Sequence, residues 1–447
     1  MSEQNSMTIR QAQLEQMVHD LLSEAKQLGA TAAEAAASSD SGLSINVRKG
    51  DVETIEHTRD QGLGITVYFG QKKGSASTSD FKPEAVRDTV RAACNIARFT
   101  NEDPYSGLAD ADRMATNLPD LDLYHPWDLT PEAAIELGIA CERAALESDP
   151  RISNTEGAGI NSHSGLHVYG NSHGFVGGYP SSRHSLSCSV IGEQSGAMQR
   201  DYWYTVGRKS SDLESAEAVG RMAAERTLAR LGARKISTRQ TPVIFRSDIA
   251  GGLLRNLVGA ISGSSLYRKA SFLLDHLGEQ IFPAHIQIQE NPRIPGGLGS
   301  ASFDSEGVAT YDKQIIHDGV LETYLLSSYS ARKLGMQSTA NAGGTHNLSI
   351  TPGDLDLEGL LKEMGSGLLI TEMMGQGVNM VTGDYSRGAA GFWVEQGEIQ
   401  YPVEEITIAG NLKQMFTQLL AVGKDEERRG NIRTGSLLIE QMTVAGD

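Results

Sequence analysis

The chain reads as an α+β protein: an α/β-type N-terminal domain of antiparallel strands with flanking helices (residues 1–236), followed by a mainly β C-terminal domain (residues 240–447). Three observations predict this. Apolar residues recur at helical spacing in four stretches of the first half, between runs that alternate with period two. A polar stretch, Ala233 to Gln240, then interrupts the pattern as a linker does. Beyond it, short β-like segments separated by Gly and Asp turns dominate.

The elements follow in order. Leu14, Met17, Val18, Leu21, Leu22, Ala25 and Leu28 mark the apolar face of a first helix, which Gly29 stops. Leu43–Lys49 and Val52–Thr58 alternate about a tight turn at Lys49-Gly50-Asp51, and a third strand is expected from Leu63 to Phe69. Pro83–Phe99 returns to helical spacing. Thr130-Pro131-Glu132 opens another helix with an N-cap and a proline in the first turn. Ile152 to about Lys209 is rich in Gly and Ser and predicts short β pieces. Ser215–Leu231 is helical and ends at Gly232.

After the linker, Thr241–Phe245 is a short strand and Ser247 is the expected cap of a helix carrying Leu253 to Ala260. Gln314–Glu322 is a hairpin, because Asp318-Gly319 suits a type I′ turn. Short strands are expected around Asn347–Ile350, Leu368–Thr371, Ala389–Val394 and Glu405–Ile408. Asn411 caps a predicted helix, Leu412–Val422, and Gly435–Val444 ends the chain as a strand.

At 447 residues the chain exceeds one ordinary core, and its net charge of −17 comes without a long basic block. That argues against a nucleic-acid or anionic-membrane partner, both of which need clustered Lys and Arg. The N-terminus has no apolar core of signal-peptide length, and no apolar run is long enough to cross a membrane. Cys94, Cys141 and Cys188 lie far apart without CxxC spacing, and Cys94 and Cys141, within helical stretches, read as buried thiols. A cytoplasmic location is the expectation.

Few motifs carry chemistry. Gly170-Asn171-Ser172-His173-Gly174 fits the hydrolase elbow pattern, but Phe175 to Pro180 cannot be the helix an elbow requires, so a turn between strands is expected. His163, His167 and His173 invite a metal reading, and the first two would share a face on a helix. On a strand they lie roughly 13 Å apart, too far for one ion, unless a loop folds them together. No Walker loop or dinucleotide fingerprint occurs. Pro295 to Ser300 reads as a tight surface loop. Thr382 to Trp393 mixes glycine, polar and aromatic residues: Asp384, Tyr385, Ser386, Arg387 and Trp393 are candidates for a peptide groove or interface, the alternative being a structural loop with a buried Trp.

Several features in sequence order resemble the TldD/TldE (PmbA) family of metallopeptidases, specifically its TldE/PmbA branch. They are the Leu43–Thr58 hairpin, the Asn171–Gly174 turn, Ser302–Val308 ahead of Asp318-Gly319, and the Thr382–Trp393 block. In the zinc-binding branch the helix after the linker reads Leu-Leu-His-Glu-x-x-Gly-His. Here Leu253, Leu254 and Gly259 keep that pattern, but Arg255 and Ala260 replace the two histidines and Asn256 replaces the glutamate. A guanidinium is permanently charged and a methyl has no lone pair, so neither ligates zinc. The zinc branch also uses a late cysteine, and no cysteine follows Cys188.

The resemblance implies a chain without its own catalytic, cofactor or metal residues, paired with a TldD-like subunit that bears the zinc. The assembly would process unfolded peptides, including toxin precursors and antitoxins, with strand addition to the peptide main chain as one mode of binding. Arg255 and Asn256 are then expected to pack against the partner or to hold a substrate carbonyl or carboxylate. A homodimer of the isolated chain is a further expectation. Two other readings stay open: a self-sufficient metallopeptidase whose His276, His285, His317 and His346 converge on a cryptic metal, and a regulatory protein-binding factor of gyrase-modulator type.

Overall fold

The computed structural model describes residues 3–446. Helix α1 (Glu3–Gln27) leads into β1 (Ala32–Arg48), β2 (Asp51–Phe69), β3 (Lys72–Thr78) and α2 (Pro83–Phe99). After an irregular stretch come α3 (Pro131–Leu146), β4 (Ile152–Asn171), β5 (Val176–Gln194), β6 (Ala197–Gly207) and α4 (Ala216–Ala229). The six strands form one antiparallel sheet in the order β3-β2-β1-β4-β5-β6.

All four helices cover one face of this sheet. Along β1 the buried residues keep one parity: Ala33, Ala35 and Ala37 pack against Val18 and Leu21 of α1 and Val90 and Ala93 of α2. Leu43, Ile45 and Val47 pack with Cys141 of α3 and Val219 of α4. A period of two places all six on the same side. At the α3–α4 crossing the backbones nearly touch: a Cβ on Gly220 would meet the Cys141 carbonyl at 2.0 Å. Glu142, 2 % exposed on α3, accepts from the Lys49 N–H at 2.8 Å and the Gly50 N–H at 2.7 Å. It holds the β1–β2 turn, in which Lys49 (φ 55°) and Gly50 (φ 77°) take the left-handed backbone of a type I′ turn.

Several expectations need correction here. The two strands expected at Val52–Thr58 and Leu63–Phe69 are one, β2, running through Arg59 to Gly62. Its first half, Asp51–Asp60, is exposed throughout, so the polar run from Arg59 to Gly62 carries no buried face that would mark it as strand. The Gly/Ser-rich pieces after Ile152 are three long strands, and β3 was not anticipated. The capped helix beginning at Thr130 is as expected, with the Thr130 hydroxyl accepting from the Ala133 N–H.

The second half comprises β7 (Arg239–Phe245), α5 (Ser247–Ala260), α6 (Gly263–Tyr267), β8 (Ile288–Glu290), β9 (Lys313–His317), β10 (Val320–Leu321), α7 (Ser328–Leu334) and β11 (Leu348–Ile350). It continues with α8 (Leu357–Met364), β12 (Gly367–Met374), β13 (Asp384–Glu395), β14 (Glu398–Asn411), α9 (Leu412–Thr417), β15 (Leu419–Val422), β16 (Ile432–Arg433) and β17 (Leu437–Ala445). One sheet runs β14-β13-β12-β7-β17-β15, and β14 also pairs with β17. That extra pairing closes β7, β12, β13, β14 and β17 into a ring, with β15 appended. Alternate residues of the strands serve different cores: Val243, Leu368 and Ile439 join the main cluster, while Ile244, Leu369 and Leu438 pack under α8.

A smaller sheet, β10-β9-β8-β11-β16, carries the expected hairpin, with Asp318 (φ 49°) and Gly319 (φ 78°) in its turn. Beside it lies a buried polar knot. Glu290, 0 % exposed, accepts from Lys313 Nζ at 2.7 Å, from the His346 N–H at 2.8 Å and from Asn341 Nδ2 at 3.0 Å.

Three local expectations fail in this half. The α5 N-cap is Arg246, with no side-chain cap bond, and Ser247 is already helical. The helix capped by Asn411 stops at Thr417, and Leu419–Val422 is a strand. The expected surface loop at Pro295–Ser300 is exposed only at Pro295; Gly297 and Ser300 are buried, and Arg208 donates to the Gly297 and Leu298 carbonyls. The polar stretch after Gly232 is also anchored, because Ile236 is 4 % exposed within the main cluster.

Candidate functional site

Helix α5 presents Ala250, Leu253, Leu254, Leu257 and Ala260 to the core, at the spacing of one helical stripe. The opposite face, with Asp248, Gly252 and Arg255, borders a groove of about 290 Å³. Across it lies β6, the edge strand of the N-terminal sheet, with Tyr202, Trp203 and Tyr204; β12 and β13 contribute Glu372, Met373, Tyr385 and Arg387. The groove therefore lies between the two halves of the chain.

Ion pairs tie its walls together. Arg226 of α4 donates to Asp201 at 3.2 Å and to Asp248 at 2.8 Å. Arg246 grips Asp248 with two bonds of 2.8 Å. Burial works to raise the Asp248 carboxyl, but the hydrogen bonds and charges of Arg246 and Arg226 outweigh it and hold the group below the usual carboxylate range. Its place in the first turn of α5 also suits a negative charge. Arg230 pairs with Glu372 at 2.6 Å, and Arg429, paired with Glu427, lies over the Trp203 ring at 3.7 Å.

The edge of β6 is not open to another strand at these positions. Arg230 donates to the Arg200 carbonyl at 3.0 Å, Arg429 to the Tyr204 carbonyl at 3.0 Å, and the Tyr202 N–H donates to Asp201 at 2.7 Å. Side chains that occupy an edge in this way block strand addition.

The candidate residues separate. Of the four positions that the resemblance sets against the zinc motif, Arg255 is exposed and borders the groove, Asn256 is half-buried and does not line it, and Gly259 sits under Met380. Ala260 is 0 % exposed in the core, its carbonyl accepting from the Ser271 hydroxyl at 2.6 Å. A guanidinium, an amide and an enclosed methyl do not fit a zinc ligand set. Of the Thr382–Trp393 block, Tyr385 and Arg387 line the groove. Burial raises the Tyr385 hydroxyl to about 12, against the opposing pull of Arg387. Asp384 bonds instead to Thr382 and Asn411, Ser386 is exposed outside the groove, and Trp393, 6 % exposed, packs in the core beneath Arg239.

Other motifs resolve as structure. Ser172 accepts from the Ala33 N–H at 3.0 Å in the β4–β5 turn, and no helix follows it. His163 and His167 both lie on β4. Among the described residues no three His, Cys, Asp or Glu side chains are grouped to hold a metal, the histidines at 276, 285, 317 and 346 included. No helix among the described residues is long and apolar enough to cross a membrane. No sequence motif marks Asp248, Arg226, Trp203 and Arg429, which come from four separate segments.

The fold is a metallopeptidase-family scaffold. The chain matches PmbA/TldA metallopeptidase domain 1 over residues 33–97, the central domain over 124–231 and the C-terminal domain over 238–446. It belongs to the PmbA/TldE family. It is 56 % identical to metalloprotease PmbA of Escherichia coli O157:H7 over 414 residues, covering 93 % of this chain and 92 % of that one. It is 51 % identical to a metalloprotease PmbA homolog of Haemophilus influenzae, covering 99 % of both. A crystal structure from Bacteroides thetaiotaomicron, described as a candidate modulator of DNA gyrase, superposes with a TM-score of 0.92 at 30 % identity, over 97 % of this chain and 98 % of that one. TldE from Thermococcus kodakarensis shares the fold, with a TM-score of 0.84 at 20 % identity over 96 % and 100 % of the two chains.

Proposed function

We propose that this chain is the non-zinc subunit of a TldD/TldE-type metallopeptidase that processes unfolded peptides, including toxin precursors and antitoxins. It completes a zinc-bearing, TldD-like partner and helps to hold the peptide. One observation carries the reading: the helix that bears the zinc motif in the catalytic branch is kept here with Arg255, Asn256 and Ala260 in place of its donors and base. A peptidase needs neutral ligands for the metal and a carboxylate to take a proton from the bound water, and those three side chains supply neither.

The test is cleavage of an unstructured peptide by the purified chain, by a HExxxH-bearing homologue, and by the two mixed. Cleavage that requires mixing supports the reading. Cleavage by this chain alone sinks it and returns attention to the C-terminal histidines.

A further inference from the structure

We propose that the groove between β6 and α5 receives a peptide carboxylate on Arg255 and Arg387. The inference rests on the reading of this chain as a peptide-holding subunit and names what the peptide must present. Five arginines and three carboxylates line the groove, an excess of positive charge in a chain whose net charge is −17. Arg200 pairs with Glu156, Arg226 with Asp201 and Asp248, and Arg429 with Glu427. Arg255 and Arg387 have no carboxylate within ion-pairing distance among the described residues. Arg387 Nε is also buried without a hydrogen-bond partner, an arrangement that costs free energy until an acceptor arrives.

The surroundings select the ligand further. With the β6 carbonyls at Arg200 and Tyr204 already taken, recognition here falls to side chains rather than to the peptide main chain. Tyr202, Trp203 and Met373 offer apolar and aromatic surface beside the two cations, which suits an amphipathic peptide end better than a small inorganic ion. Gly252 keeps the floor open: a Cβ built there meets nothing within 4 Å. The carboxylate can be a C-terminus or an acidic side chain, since both present the same two oxygens.

Three N-acetylated peptides of one aliphatic–aromatic sequence separate these sources: a free acid, its neutral amide, and an amide carrying one aspartate. Each is titrated calorimetrically into the purified chain. One or both acidic peptides should bind about tenfold tighter than the neutral amide, as charge-assisted bonds imply. Arg255 is exposed and unpaired, so Arg255→Glu should fold normally and reverse that preference. Gly252→Leu should obstruct the groove and weaken every peptide. Equal binding of all three peptides would overturn the carboxylate proposal while leaving peptide holding intact. If no peptide binds and Arg255→Glu instead abolishes association with the zinc-bearing homologue, the groove is a subunit contact and the proposal falls.

Discussion

Removing the Glu290 carboxylate should cost more than any surface change in this chain. Both its oxygens are engaged: Oε1 by the His346 N–H and Asn341 Nδ2, Oε2 by Lys313 Nζ and again by Asn341 Nδ2 at 3.1 Å. The Lys313 side chain is 5 % exposed and that of Glu290 is 0 % exposed. Glu290→Ala would leave a buried ammonium without its counter-ion and deprive the His346 N–H of its acceptor. Breaking a buried pair from one side costs about 3–5 kcal/mol. Replacing both partners with apolar groups is expected to recover much of that loss, since the isolated charge disappears with the pair. Urea denaturation of Glu290→Ala, Lys313→Met and the double variant measures this directly. A loss below about 1 kcal/mol for Glu290→Ala, or strictly additive losses in the double variant, would refute the reasoning.

Three further outcomes follow from local geometry. Glu142→Ala removes two charge-assisted bonds from the Lys49-Gly50 turn and should cost about 3 kcal/mol in a urea titration, with Glu142→Gln recovering part; an unchanged midpoint would contradict the anchoring role. Ala260→His places a larger polar ring in a closed core and should lower stability by about 3 kcal/mol, whereas wild-type stability would show the site to be open. Asp304 is raised to about 6 by burial and by the nearby charge of Glu306, against the pull of the N–H groups it accepts from. A carboxyl raised in the folded state takes up its proton earlier than in the unfolded chain, so this group adds stability as pH falls from about 6 toward 4, on the order of 2–3 kcal/mol. Stability curves that differ between wild type and Asp304→Asn in that window would support this, and parallel curves would contradict it.

The parts of the fold legible in the sequence are those where a local signal and the tertiary environment agree. Pro83–Phe99 and Pro131–Leu146 combine amphipathic spacing with proline starts, and Asp318-Gly319 specifies its own turn. The sequence misleads where the environment decides. The Asp51–Asp60 half of β2 is exposed throughout, and the polar run from Arg59 to Gln61 separates its alternation from that of Leu63 onward, so one strand reads as two. Leu412 onward keeps an apolar pattern through Val422, but pairing with β17 draws Leu419–Val422 into a strand. At the site, Arg255 stands out only through the resemblance, and Tyr385 and Arg387 are among the candidates of the Thr382–Trp393 block. The ion pairs that join α4, α5 and β6 were not readable, because a contact such as Arg226–Asp248 exists only once distant segments have packed.

If this chain is the non-zinc subunit proposed above, catalysis by the assembly depends on zinc held by the partner. The most direct measurement is the zinc content of each subunit after separation of an active mixture, followed by chelation and metal return to one subunit at a time. Zinc is then expected in the HExxxH-bearing subunit alone, with activity restored only when that subunit is remetallated. Stoichiometric zinc in this chain, or recovery of activity on remetallating it, would contradict that division of roles.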